Sequence, residues 1–418
     1  MSTSNDVSQE EVGRFGRGSN QSVLRAHNER LVLTLLRNHG PLAKSQIAKM
    51  TGLSAQAAGV IMGRLEMEGL LRRGVPRRGR VGQPSVPMTI APDCAFFIGL
   101  KIGRRVSELV LIDFMGRAIC QLSQPHFCPT PDETIVFAKD GTRRLLESLD
   151  PAARERVAGM GVATPFQLWE WAEQIGAPAE TIASWRDADV GARLRASFSW
   201  PVHIQNDASA ACGAELAFAN PPEDDFLYFF VGSLIGGGVV LNGSLYTGRR
   251  GNAGALGSMP VTRRDRAGHP LAQLIDIASI SSLERKMIFA DLPLSGVRDA
   301  AACWTIPDEL LDKWIGEAGD ALAQAILSAC AVIDFEAAII DGSLPETVRK
   351  RLVQRARDTL CGMNDRGIDL PVVREGAVGA NARALGAASL PLFDRFLLSP
   401  RTLAASQIWS GQASMPLT

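Results

Sequence analysis

Among 418 residues only seven are cysteine, at positions 94, 120, 128, 212, 303, 330 and 361. The number is odd and no two stand as C-x-x-C, so neither a disulfide framework nor a zinc ribbon is expected. Reduced thiols in a cytoplasm fit best. The chain lacks an apolar run of about 18 residues, and its opening, MSTSNDVSQEEVGRFG, lacks the basic-then-apolar pattern of a secretory leader. Neither membrane insertion nor secretion is expected. No short-period repeat is present. With 46% apolar and 21% charged residues, a disordered or fibrous chain is excluded. At roughly 100 to 200 residues per domain, the length implies two to three domains.

Net charge is also absent, but the zero hides an asymmetry. Residues 13–92 carry eleven Arg and two Lys against Glu29, Glu66 and Glu68, a balance of +10, while residues 93–418 sum to −7. A cationic module on an acidic body points to a polyanion met by the N-terminal part alone, because Lys and Arg gain affinity by releasing phosphate counterions. A basic solvated surface would give the same count.

The pattern of that module narrows the choice. Leu31, Val32 and Leu35 stand at helical spacing within 28–37, and His39-Gly40-Pro41 stops that helix. A short helix is expected over 43–50, then a tight turn at Thr51-Gly52-Leu53, then a helix capped by Ser54 and running to about Glu68. Ala58, Ile61, Met62 and Leu65 line one face of this third helix; Gln56, Gly59, Val60, Gly63 and Arg64 line the other. Segments 70–73 and 85–90 flank a Gly/Pro/Arg-rich tip and read as a hairpin wing. Three helices and a hairpin make a winged helix-turn-helix, whose third helix enters a major groove about 12 Å wide. Double-stranded operator DNA is the expected partner. The contacts expected are Ser54, Gln56, Arg64 and Arg72, with Arg77, Arg78 and Arg80 of the wing tip on phosphates or in a minor groove.

Beyond the junction at Ala91-Pro92-Asp93, strands are expected over 95–102, 108–113, from 118, and over 157–163, 201–204, 226–231, 238–241 and 337–340. Helices are expected over 132–149, 208–219, 271–278 and 312–333. Their alternation favours an α/β architecture.

Three passages, IGLKIGRRVSELVLIDFMGRAI, HIQNDASAACGAE and FFVGSLIGGGVVLNGSLYTGRRGNAGALGSMP, together resemble the ROK family of bacterial sugar kinases and the repressors related to them. The closing GAVGANARALGAASLPL matches that family's Gly- and Ala-rich last helix, and the resemblance spans residues 93–395. It implies a two-lobed, actin-like or ribonuclease-H-like sugar-kinase fold behind the winged head. The expected division is an arm at 1–20, the winged helix-turn-helix at 21–92 and the kinase-like body at 93–418.

The resemblance also shows what has been replaced. Where the kinases carry Asp-x-Gly-x-Thr for the metal and phosphates of ATP, this chain has Lys101 and Arg105, cations that cannot ligate magnesium. Ala255 and Ser258 stand where the family's loop has a sugar-binding Glu and a zinc-ligating His. No cysteine lies between Cys212 and Cys303, so the structural zinc is not expected, and the lone His269 sits in a polar loop. Asp341 interrupts the adenosine turn. Asn206 and Asp207 occupy the place of the kinases' proton-accepting carboxylate, and Glu284 that of a further sugar contact. Asp207 would equally serve as a helix cap, and Glu284 as a surface residue at a helix start. The expectation is a cytoplasmic transcription regulator, a homodimer or homotetramer, that responds to a sugar or sugar derivative and uses no cofactor or metal. A working sugar kinase with a DNA-binding head and a ligand-independent repressor are the rival readings.

Overall fold

A computed structural model describes residues 17–76, 86–165, 179–262, 271–297 and 304–398. Contacts divide these into two units, one running to Ala91 and including Phe396–Leu398, the other Pro92–Arg395.

The first unit is three helices and a two-stranded ribbon. α1 (Arg17–His39) buries Leu31, Val32, Leu35 and Leu36. Gly40, at φ 74°, then turns the chain into a conformation that costs other residues a steric penalty. α2 (Lys44–Thr51) ends on Gly52 in the left-handed region. The Ser54 hydroxyl accepts a hydrogen bond from the Ala57 N–H at 3.1 Å and so starts α3 (Ala55–Met67), which turns Ala58, Met62 and Leu65 inward. β1 (Leu71–Arg73) pairs antiparallel with β2 (Met88–Ile90), Leu71 opposite Ile90.

Two boundaries differ from expectation. Residues 17–20 begin α1 rather than belonging to an arm, while 1–16 and the wing tip at 77–85 lie outside the described residues. The chain also comes back: Leu397 and Leu398 are 1% and 4% exposed. Arg30 Nε donates to the Leu397 carbonyl at 2.9 Å, and the Leu398 N–H donates to the Thr34 hydroxyl at 2.9 Å. Residues 396–398 therefore fold with the first unit and not with the body to which their position in the sequence assigned them.

The second unit holds two sheets of one design. The first has the order β5-β4-β3-β6-β7, built from β3 (Phe96–Lys101), β4 (Val106–Asp113), β5 (Ala118–Pro125), β6 (Val157–Thr164) and β7 (Val202–Asn206). β3, β4 and β5 are antiparallel, and β6 and β7 continue parallel to β3. The second repeats this with β8 (Phe226–Val231), β9 (Gly236–Leu241), β10 (Ser244–Tyr246), β13 (Ala337–Gly342) and β14 (Val372–Glu375), in the order β10-β9-β8-β13-β14. Between them in sequence, β11 (Pro260–Thr262) and β12 (Leu271–Gln273) form a small antiparallel ribbon. β3, β8 and β13 are buried at every position, as expected for central strands covered on both faces.

The chain's last described helix, Ala382–Arg395, packs on β3, β6 and the helix Asp207–Ala214. It comes so close that glycine is required. A Cβ at Gly161 would lie 1.7 Å from the Ala387 carbonyl oxygen, and one at Gly386 would lie 1.8 Å from that of Ala210. This helix thus belongs to the first sheet although it follows the last strand of the second, and it brings Arg383 to the ends of the parallel strands.

Candidate functional site: a cavity at the strand ends and an exposed helix face

In open parallel sheets the crevice beyond the carboxyl ends of the strands is where ligands bind, because the connecting loops diverge there. A cavity of about 160 Å³ occupies this place. It is lined by Arg104 of the β3–β4 turn, Asn206 and Asp207 at the end of β7, Gly236 and Gly237 opening β9, and Asn252–Ala255 with Ser258 from the following loop. Asn206 and Asp207 both line it, with divided labour. The Asn206 side-chain oxygen accepts the N–H groups of Ala208 and Ser209 at 3.0 and 3.1 Å, so asparagine is the helix cap. Asp207 is thereby left for another partner.

That partner is Arg383. Its Nη1 donates to Asp207 Oδ2 at 3.0 Å with both side chains buried, and its guanidinium lies 4.4 Å from the centre of the Phe230 ring. Gly232 makes room, since a Cβ there would sit 2.8 Å from Arg383 Nη2. Sequence reasoning missed Arg383, and no local signal marks it: 176 positions separate it from Asp207.

The two cations at the end of β3 and in the β3–β4 turn are also committed. Lys101 lies opposite Glu108 across the β3–β4 ladder and pairs with it at 3.1 Å. Burial, reinforced by Arg383, lowers the Lys101 pKa. Arg105 forms a bidentate pair with Glu284, one arm at 2.7 Å. Glu284 is 4% exposed. Its carboxylate is thus turned to Arg105 and is not among the residues lining the cavity. Arg104 differs from all of these. Burial pushes its pKa down to about 10, with Asp207 and Arg383 both within electrostatic range, and its buried Nε has no hydrogen-bond partner among the described residues.

The corresponding strand ends of the second sheet are closed. Asp341, fully buried at the end of β13, accepts the Tyr228 hydroxyl at 3.0 Å and the Gly379 N–H at 2.8 Å. Arg349 stands 3.5 Å from its other oxygen. The Asp341 side chain fills the space left by Gly376, where a Cβ would lie 2.5 Å from the Asp341 Cβ. Beside it, burial raises the Glu215 pKa, although the Ala377 N–H donates to that carboxylate. Among the described residues, no group of three or more His, Cys, Asp or Glu could hold a metal ion. His269 lies outside them.

On the first unit, Gln56 is exposed on α3 and lines a surface groove with Lys44, Gly59, Gly63 and Arg73. Lys44, which sequence reasoning passed over, lies across α3, its Nζ 2.3 Å from where a Cβ of Gly59 would be. The opening residue of the short helix before a recognition helix could have been singled out for this. Val60 is 67% exposed on the same helix. Arg64 is turned aside, at 3.3 Å from Glu29 and 2.7 Å from Glu68. Arg72 is exposed on β1, whereas Arg77, Arg78 and Arg80 lie outside the described residues.

Comparison with known proteins bears on the fold and the family. A protein of Sinorhizobium fredii is 26% identical over 94% of this chain and 98% of its own length. The xylose repressor of Bacillus subtilis is 22% identical over 58% of this chain and 62% of the repressor, so the match spans about three-fifths of that relative. The crystal structure of a ROK family transcriptional regulator, a homolog of the E. coli MLC protein, matches with a TM-score of 0.64 at 18% identity. That match covers 92% of this chain and 99% of the regulator. Residues 97–392, covering both sheets and the last helix, match the model of the ROK family, and the chain belongs to that family.

Proposed function

We propose that this ROK protein is a sequence-specific DNA-binding transcription regulator, a repressor of sugar uptake or catabolism genes. In this reading the body is a sensor of a sugar or sugar derivative and no longer a kinase. The observation that carries it is the commitment of Lys101 to Glu108 and of Arg105 to Glu284: the residues that replace the metal and phosphate ligands are tied up in ion pairs. Asp341 filling the turn at the end of β13 supports the same conclusion. So does Arg383 on Asp207, because a carboxylate held by a buried guanidinium is a poor acceptor for a hydroxyl proton. The likeness to a xylose repressor supports the regulator side.

The head meets duplex DNA through α3 and the wing, with Ser54, Gln56 and Arg72 beside it and Arg77, Arg78 and Arg80 on the backbone. The protein works in the cytoplasm as a homodimer or homotetramer, since one winged helix reads too few base pairs for useful specificity. Ligand in the cavity at Asn206 and Asp207 favours one conformation of the body, and its differential affinity sets how far operator binding shifts.

The test is a gel-shift titration on duplexes selected from a random library, with and without sugars, run alongside an ATP-consumption assay. Selected binding that a sugar weakens, without ATP turnover, is expected. ATP turnover with a hexose and no duplex selection would overturn the reading.

A further inference from the structure

The cations around the cavity can be sorted by partner. Lys101 has Glu108, Arg105 has Glu284 and Arg383 has Asp207. Arg104 lines the cavity and has no carboxylate of its own among the described residues, and its Nε is buried without a hydrogen-bond partner. Asp207, the carboxylate lining the cavity beside it, already pairs with Arg383 at 3.0 Å. The other lining groups, including Asn206, Asn252, Ser258 and glycine backbone, carry no charge. Ala255 and Ser258 add none.

We infer that the ligand of this cavity is an anionic sugar derivative, a monosaccharide bearing a phosphate or carboxylate that pairs with the Arg104 guanidinium while its hydroxyls meet Asn206, Asn252 and Ser258. This deepens the sensor reading above and rests on it.

Three considerations support the choice. The buried Arg104 Nε has no hydrogen-bond partner among the described residues, which leaves part of its desolvation cost uncompensated, and an anion on the guanidinium lowers that cost. Even pushed down to about 10, Arg104 remains charged at neutral pH, so the cavity keeps its positive charge where a ligand would be met. The cavity, at about 160 Å³, is well below the roughly 300–1,000 Å³ of drug-sized pockets and suits one sugar ring with a small charged group. Guanidinium is also the side chain whose planar fork matches both carboxylate and phosphate.

The experiment uses the full chain, with calorimetry and thermal shift against glucose, glucuronate, glucose 6-phosphate, the matching xylose series and inorganic phosphate. Binding of glucuronate or glucose 6-phosphate, or a xylose counterpart, at least about tenfold tighter than the neutral sugar is expected. Which of the two anions wins distinguishes carboxylate from phosphate. Arg104→Gln should abolish the preference, and Arg104→Lys should restore part of it; duplex selection by both variants reports that they fold. A neutral sugar bound as tightly as its anions, and unchanged in Arg104→Gln, would overturn the inference while leaving the sensor reading intact. Inorganic phosphate binding as tightly as the sugar phosphate would overturn it too, since no sugar would then be read. If neither neutral nor anionic sugars bind, the sensor reading fails and the inference with it.

Discussion

The two sheets of the body have one strand order and opposite fates at their strand ends. Beyond β3, β6 and β7 the first sheet opens on a cavity with an unpaired guanidinium. Beyond β8, β13 and β14 the second is stopped by Asp341, held between Tyr228, Gly379 and Arg349. A duplicated scaffold fixes where ligands could go, but side chains decide whether the place remains usable. In this chain the strand ends of the first sheet border a cavity, and those of the second are occupied by Asp341.

The largest expected effect breaks the closed half. Asp341→Ala would leave Arg349 facing a void and strip the Tyr228 hydroxyl of its acceptor, a loss of about 3 to 5 kcal/mol for a broken buried pair. Denaturant unfolding would measure it, and a loss under about 1 kcal/mol would show that the carboxylate is not a structural plug. The open half is broken through its packing. Gly161→Ala would set a methyl group against the Ala387 carbonyl and push the last helix off β6. About 3 kcal/mol of destabilisation is expected, together with loss of any ligand response, since Arg383 moves with that helix.

A smaller effect is read through pH. Burial raises the Glu215 pKa above its ordinary 4.5. The folded state therefore holds that proton more tightly than the unfolded chain does. The stability this contributes is full below about pH 4.5 and is lost as pH rises through the folded value. Glu215→Gln should gain stability relative to the parent as pH rises from 4.5 toward 7; a constant difference would remove Glu215 as the source of the slope. The smallest effect is in the head. Arg64 is engaged by Glu29 and Glu68, so Arg64→Ala should change DNA affinity only a few-fold. Neutralising Arg77, Arg78 and Arg80 together should flatten the salt dependence by up to about three counterions. Equal salt slopes for the two variants would undo the division of roles.

Much of the framework was legible because it is local. The residues that start and end α3, Ser54 and Gly69, follow from capping chemistry, and β8 was read at its observed limits because six apolar residues precede Gly232. The segment 271–278, read as one helix, is divided between β12 and the helix Leu274–Ala278. Gln273 caps that helix, while Leu271–Gln273 pair with β11, a partner that no local pattern announces. The helix Glu346–Cys361 and β14 went unread: the first is crowded with charge, and the second is only four residues long. Of the residues named from the sequence, Asn206 and Asp207 line the cavity, whereas Lys101, Arg105 and Asp341 do not. The wiring of the site was not legible, because each partnership, Arg383 with Asp207 and Arg105 with Glu284, closes only when distant segments fold.

The return of residues 396–398 to α1 means that the reading head cannot be cut out of the N-terminus. A fragment ending at Ala91 would lack the two leucines that cover α1 and the groups that engage Arg30 and Thr34. Residues 396–398 directly follow the helix that carries Arg383. Arg383, which holds Asp207, and Leu397, whose carbonyl meets Arg30, are therefore carried by one short stretch of chain.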